Sequence, residues 1–269
     1  MISRDTVRAW LRPPRPATVA LDPRERRALW IEITIVLLVT FGASALSSLL
    51  SIADSLLTPG TLSDQTVALN APRASDQLVD LARQLLGVLR LVAWGTLGLY
   101  LLWRGGVTLR QAGLGRFRRP DAAHGVGLAA LIGLPGLGLY LVAQAVGANL
   151  TVAPSTIDDH WWRLPVLCLW AVANSGAEEI LVVAYLLTRL RQLGWSDNSA
   201  LAASALLRGG YHLYQGFGGG VGNIVMGAVF ARYWQKTGRL WPLVVAHATI
   251  DVVAFVGYAL LRDRVGWIP

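Results

Sequence analysis

The chain has 269 residues, a mean hydropathy of +0.48, 54% hydrophobic residues and only 15% charged ones. Soluble domains carry about 25% charge, so this composition excludes an ordinary water-soluble enzyme, and its hydrophobicity excludes a disordered chain. The formal net charge of +8 would suggest nucleic acid in a soluble protein, but most arginines sit in a tail and in connections between apolar runs, so membrane lipid is the expected partner and nucleic acid is not.

Residues 1–27 carry Arg4, Arg8, Arg12, Arg15, Arg24, Arg26 and Arg27 together with Pro13, Pro14 and Pro16. They read as an irregular, cytoplasmic, topology-setting arm. The rest of the chain, 28–269, reads as one membrane domain. Apolar runs at about 28–52, 80–103, 125–149, 164–190, 198–214, 221–235 and 241–261 predict an all-α polytopic bundle of about seven (six to eight) transmembrane helices. The first run begins like a signal peptide, with Ala43-Ser44-Ala45 as a cleavage site, but it continues through Leu46, Leu49 and Leu50 and so reads as a retained span. The fourth is expected to bend or break at Asn174-Ser175-Gly176. The fifth and sixth are short, which predicts tilt or partial re-entry. Gly216, Gly218, Gly219, Gly220 and Gly222 make a flexible or closely packed connection between them, and no phosphate-loop lysine follows. Cys168 is the single cysteine, which excludes an internal disulfide and a multi-cysteine metal site.

Arginine alternates between connections. Arg104, Arg110, Arg116, Arg118 and Arg119 follow the second run, Arg189 and Arg191 the fourth, and Arg232, Lys236 and Arg239 the sixth. Residues 53–79 and 150–163 are poorer in basic side chains. The positive-inside rule then places the protein in the cytoplasmic membrane with its N-terminus in the cytoplasm, and Trp161 and Trp162 in an outer interfacial belt. His124 and His160 fall at span edges and read as interfacial.

Six ionisable groups lie where the bilayer should be: Glu178, Glu179, Arg208, His212, His247 and Asp251. Each costs about 2.5–3.5 kcal/mol on insertion scales, so six isolated groups would cost on the order of ten kcal/mol or more. Sharing one interior site removes most of that cost. Spacing favours sharing, because Arg208 and His212 are i,i+4, as are His247 and Asp251, and each pair lies on one helix face. Glu178 and Glu179 are roughly 100° apart on a helix and cannot do the same work. One faces the site and the other its edge. Carboxylates and histidines together support two chemistries: a divalent metal that acidifies water, or direct water activation by a Glu–His base pair.

Ala177-Glu178-Glu179, then Tyr211-His212, then His247-Ala248-Thr249-Ile250-Asp251 resemble the motifs of the CPBP family, the CAAX-protease and bacteriocin-processing (Abi) membrane proteins. The resemblance covers roughly residues 105–261. It implies an all-α intramembrane endopeptidase acting on a membrane-associated protein or peptide. It implies that Glu178 activates water with His212, and that His247 with Asp251 stabilises the oxyanion or completes a metal site. Catalytic Glu178, Glu179, His212, His247 and Asp251 are thereby implied, with a divalent metal such as zinc at Glu178, His212, His247 and Asp251 left open. Three positions depart from the pattern: Val183 stands where the family has arginine, Arg208 where it has phenylalanine, and Asp251 where asparagine is common. Val183 leaves Glu179 without its usual partner, so Arg208 is expected to supply the missing guanidinium in a supporting role, with Arg90 as a rival. Two other functions stay open. One is a non-catalytic scaffold that protects a membrane protein partner. The other is a small transporter relaying protons through its buried Glu and His.

Overall fold

The structure is a computed structural model and describes residues 21–261. Most of the arginine-rich arm, residues 1–20, lies outside the described residues. Its last part is already helical, because α1 (Pro23–Val39) begins at a proline and is capped by Asp22, whose carboxylate accepts from the Arg24 and Glu25 N–H groups.

The fold is essentially all-α. The first span is a bent pair: α1 and α2 (Phe41–Leu57) meet at 51° around Thr40. Gly42 makes the bend possible, since a Cβ there would stand 2.6 Å from the Leu37 carbonyl oxygen. A short strand β1 (Thr66–Ala68) leads to α3 (Gln77–Arg104), capped by Asp76, and then to α4 (Arg119–Ala145). Strand β2 (Thr151–Ala153) pairs parallel with β1, Val67 opposite Val152. Next come α5 (Arg163–Glu178), a π-helical segment (Glu179–Tyr185) and α6 (Leu186–Gln192), which together form one continuous rod. The chain closes with α7 (Asp197–Gly210), a 3-10 turn (Leu213–Gln215), α8 (Phe217–Thr237) and α9 (Trp241–Leu261).

Among the described residues four helices are long and apolar enough to cross a membrane, or five with the bent pair counted as one. The expected fifth and sixth runs form α7, of 14 residues, and α8, of 21, and neither meets that test. The rod from Arg163 to Gln192 is the most buried of the four, 61% of its apolar window lying inside the protein. It packs mainly against α3 and α9, with α7 beside its C-terminal half. The expected break at Asn174-Ser175-Gly176 is absent there, since α5 is regular through those residues. The irregularity begins one residue after Glu178.

Hydrogen bonds sort the connections into two ends. At one end Trp234 Nε1 donates to the Ala112 carbonyl, the Leu240 N–H to Gly113, and Arg189 Nη2 to Leu101. That end gathers the arginine-rich connections. At the other, β1 pairs with β2, Asn70 donates to the Pro154 carbonyl, and the Leu150 N–H to Gln215. This end gathers the arginine-poor ones. Of the two tryptophans expected in an outer belt, Trp161 is 77% exposed, while Trp162 is buried among Ile157, Val166, Leu167 and Phe255 and packs in the core. The glycine run is packed. A Cβ on Gly216 would stand 2.5 Å from Asn149 Cα, and one on Gly218 2.6 Å from Ala143 Cβ.

The two-ended charge sorting predicts the orientation, with the basic end cytoplasmic. Single cysteines replacing the exposed Thr58 and Arg116, in a Cys168→Ser background, should label from opposite sides of the membrane. Labelling of both from one side contradicts it.

Candidate active site

The π-helical segment sets up the site. A π-turn bonds i→i+5, here from the Leu186 N–H to the Leu181 carbonyl, and such wide turns concentrate at functional positions. Widening leaves carbonyls short of helical partners, and buried carbonyls need one. Ser204 on α7 supplies a donor, its Oγ lying 2.7 Å from the Val182 oxygen. The same bond fixes α7 against the rod directly beside the two glutamates.

Close glycine contacts bring α7 and α8 together. A Cβ on Gly209 would lie 2.3 Å from Ile224 Cγ1, and one on Gly227 3.0 Å from Ala205 Cα and 3.2 Å from Arg208 Cδ. The Arg208 stem therefore lies across a bare stretch of α8. Its guanidinium sits over the Phe230 ring at 5.6 Å and faces the rod.

Arg208 joins both carboxylates. Nη1 is 3.2 Å from Glu178 Oε2 and Nη2 is 2.8 Å from Glu179 Oε1. Val183, in the family's arginine position, is fully buried and apolar. Arg90 stacks on Trp94 at 5.4 Å and is not the partner. Around the bridge, Tyr211 donates its hydroxyl to Glu178 Oε2 at 2.6 Å, and His247 Nδ1 lies 2.8 Å from Glu179 Oε1. His247 Nε2 is 3.6 Å from Asp251 Oδ2, and Asn174 Nδ2 donates to that same oxygen at 3.1 Å. Glu178, Glu179, Arg208 and His247 are each at most 3% exposed. The two glutamates are differentiated as their angular separation requires. Glu178 faces Tyr211 and Glu179 faces His247, with Arg208 between them.

His212 joins differently. Its Nδ1 is 3.0 Å from the Arg208 carbonyl oxygen, and a carbonyl only accepts, so Nδ1 carries a proton. In the neutral ring Nε2 is then an unprotonated lone pair. The imidazole lies 4.7 Å, centroid to centroid, from the ring of Tyr211, whose hydroxyl holds Glu178. Glu178 Oε1 makes no hydrogen bond among the described residues, while Oε2 holds both donors.

A metal fits this arrangement poorly. Among the described residues no group of three or more His, Cys, Asp or Glu is placed to hold one. The Arg208 guanidinium, paired with Glu178 and Glu179, sets a positive charge directly beside the expected ligand Glu178.

Two contributors were not foreseen as such. Tyr211 was visible only as the neighbour of His212, and Asn174 only as a break point. Asn174 precedes Glu178 by four residues, so its place on the same helix face was available as a signal. The His124 edge reading agrees with an exposed side chain, bonded to the Tyr233 hydroxyl at 3.0 Å.

Residues 160–253 match the family model described as type II CAAX prenyl endopeptidase Rce1-like, consistent with the CPBP resemblance of the three motifs. The matched stretch includes the rod, α7, α8 and most of α9, and so every residue of the cluster. It supports a membrane endopeptidase in general terms and, with the long apolar helices, a multi-pass membrane protein. No curated protein and no solved structure matches the chain.

Proposed function

We propose that the chain is an intramembrane endopeptidase that hydrolyses peptide bonds of membrane-associated substrates at a Glu178–His212 site. One observation carries this reading. Glu178 is fixed through Oε2 by Tyr211 and Arg208 while Oε1 stays free of protein donors, and His212 nearby offers an unprotonated Nε2. A water between Oε1 and Nε2 loses a proton to this pair as it adds to the scissile carbonyl. The tetrahedral oxyanion is stabilised from the His247 side, where Glu179 orients the imidazole through Nδ1 and where Nε2, 3.6 Å from Asp251 Oδ2 and so beyond hydrogen-bond distance, serves the substrate. The proton taken from water passes to the departing amine nitrogen as the C–N bond breaks, giving a carboxylate and an amine. Asn174, by donating to Asp251, offsets the negative charge that this departure from the family pattern places near the oxyanion.

The chemistry needs no metal. Purified protein in proteoliposomes should release the C-terminal tripeptide from a prenylated peptide ending Cys-aliphatic-aliphatic-X, and a chelator should leave the rate unchanged. Loss on chelation with recovery on zinc addition would establish a metal enzyme instead.

A second reading, a non-catalytic scaffold of the same fold, is favoured by the double ion pair, which ties both carboxylates to Arg208 as a structural bridge would. Under that reading neither the peptide nor any membrane protein is cleaved, and substitution of Glu178 changes stability alone.

A further inference from the structure

A second cluster of cations lies away from this site, on the lipid-facing side of α3. Arg83 and Arg90 are seven residues apart, two helical turns, and so share one stripe of the helix. Arg73, from the connection before α3, lies against the same stripe. The three line a groove of about 580 Å³ with Leu86, Gly87 and Leu89. No carboxylate lines it, and none of the three guanidinium groups makes an ion pair among the described residues. Asp80 accepts from the Arg73 backbone N–H and from Gln84 and forms no ion pair with the three guanidinium groups.

The arginines are held in place. Arg73 lies over the Trp170 ring at 4.7 Å and Arg90 over Trp94 at 5.4 Å, and Arg83 Nη1 donates to the Arg73 carbonyl. Gly87 clears the space between them, since a Cβ there would stand 2.5 Å from Trp170 and 2.8 Å from Arg73 Nη1. Burial, and Arg90 beside it, draw the Arg73 pKa down from the ordinary arginine value, with Asp80 opposing.

The groove opens sideways to the bilayer. Leu86 and Leu89 are 64% and 61% exposed, on a helix long and apolar enough to span. Arg83 and Arg90 lie about 9 and 20 Å along α3 from its start at the arginine-poor end, and the Arg73 guanidinium comes down to the level of Gly87 between them. An occupant must therefore be anionic at the arginines and apolar along the leucines. We propose that this groove binds the phosphate headgroup of an anionic phospholipid, with Arg73, Arg83 and Arg90 holding the phosphate and the acyl chains lying on Leu86 and Leu89. Guanidinium forks match phosphate oxygens, which is why arginine is favoured for this contact.

The test is lipid retention. The full chain is reconstituted in nanodiscs of phosphatidylcholine doped with phosphatidylglycerol, and lipids retained after extraction are counted by native mass spectrometry. Wild type should retain phosphatidylglycerol over phosphatidylcholine. Arg83→Gln/Arg90→Gln should lose that preference by at least about tenfold, the equivalent of one strong charge-assisted contact. Arg110→Gln/Arg116→Gln, at the opposite end, should keep it. If the double variant unfolds, the exposed Arg83→Gln alone carries the comparison. Equal retention of the two lipids by wild type, or undiminished preference in the variant, overturns the proposal. So does release of the lipid by inorganic phosphate alone, which would show a phosphate site indifferent to the bilayer.

Discussion

Arg208→Met should be among the most destabilising single substitutions in this protein. The guanidinium is fully buried and is the shared cation of two buried carboxylates. Removing one partner of a buried pair costs about 3–5 kcal/mol, because the remaining charge is left uncompensated. Here two carboxylates are left, and only Tyr211 and His247 remain to satisfy them. Thermal or denaturant unfolding in detergent should show the loss, and an effect under about 1 kcal/mol would mean that the bridge is not structural. Arg208→Phe restores the family's apolar ring, and adding Val183→Arg returns the guanidinium to the rod. The pair together should recover part of the stability that Arg208→Phe loses, whereas simply additive losses would contradict the exchange. Lysine at position 208 should not substitute, because a point charge cannot hold two carboxylates through a planar fork.

The second large effect concerns rate. Glu178→Gln keeps the shape and can still accept from Tyr211, but it cannot take a proton from water. Cleavage of a prenylated peptide should fall by at least about 10²-fold, the scale of a lost general base. Unfolding midpoints should fall far less than for Arg208→Met, because Glu179 keeps the stronger contact with Arg208, 2.8 Å against 3.2 Å. Full activity in Glu178→Gln would remove Glu178 from the chemistry.

Much of this was legible in the sequence. The final apolar run, expected to begin at 241, is a helix from Trp241 to the last described residue, because Pro242 suits a first turn and the sequence after it is apolar apart from the site residues His247 and Asp251 and Thr249 between them. Arg208 was readable through a deficit: with valine at 183 a buried Glu179 needed another cation, and only one lay in a neighbouring motif helix. Other features depend on tertiary context. The bend at Thr40 requires Gly42 to accept the Leu37 carbonyl, and nothing in the composition of the first run distinguishes it from a straight span. The π-helical segment follows from packing against α7 and Ser204, and its sequence, EILVVAY, reads as ordinary apolar helix. Strands β1 and β2 are three residues each and pair across 85 positions of sequence, beyond any local signal. Trp161 and Trp162 are adjacent, so periodicity alone could not assign one to the surface and one to the core.

The central claim is that Glu178 and His212 act on one water. The most direct test is a kinetic double-mutant cycle on kcat/KM for one peptide, comparing wild type, Glu178→Gln, His212→Asn and the double variant. Two groups acting as a unit give a double variant no slower than the slower single one. Losses that multiply, so that the double variant falls by the product of the two single effects, would show independent roles and contradict a shared site.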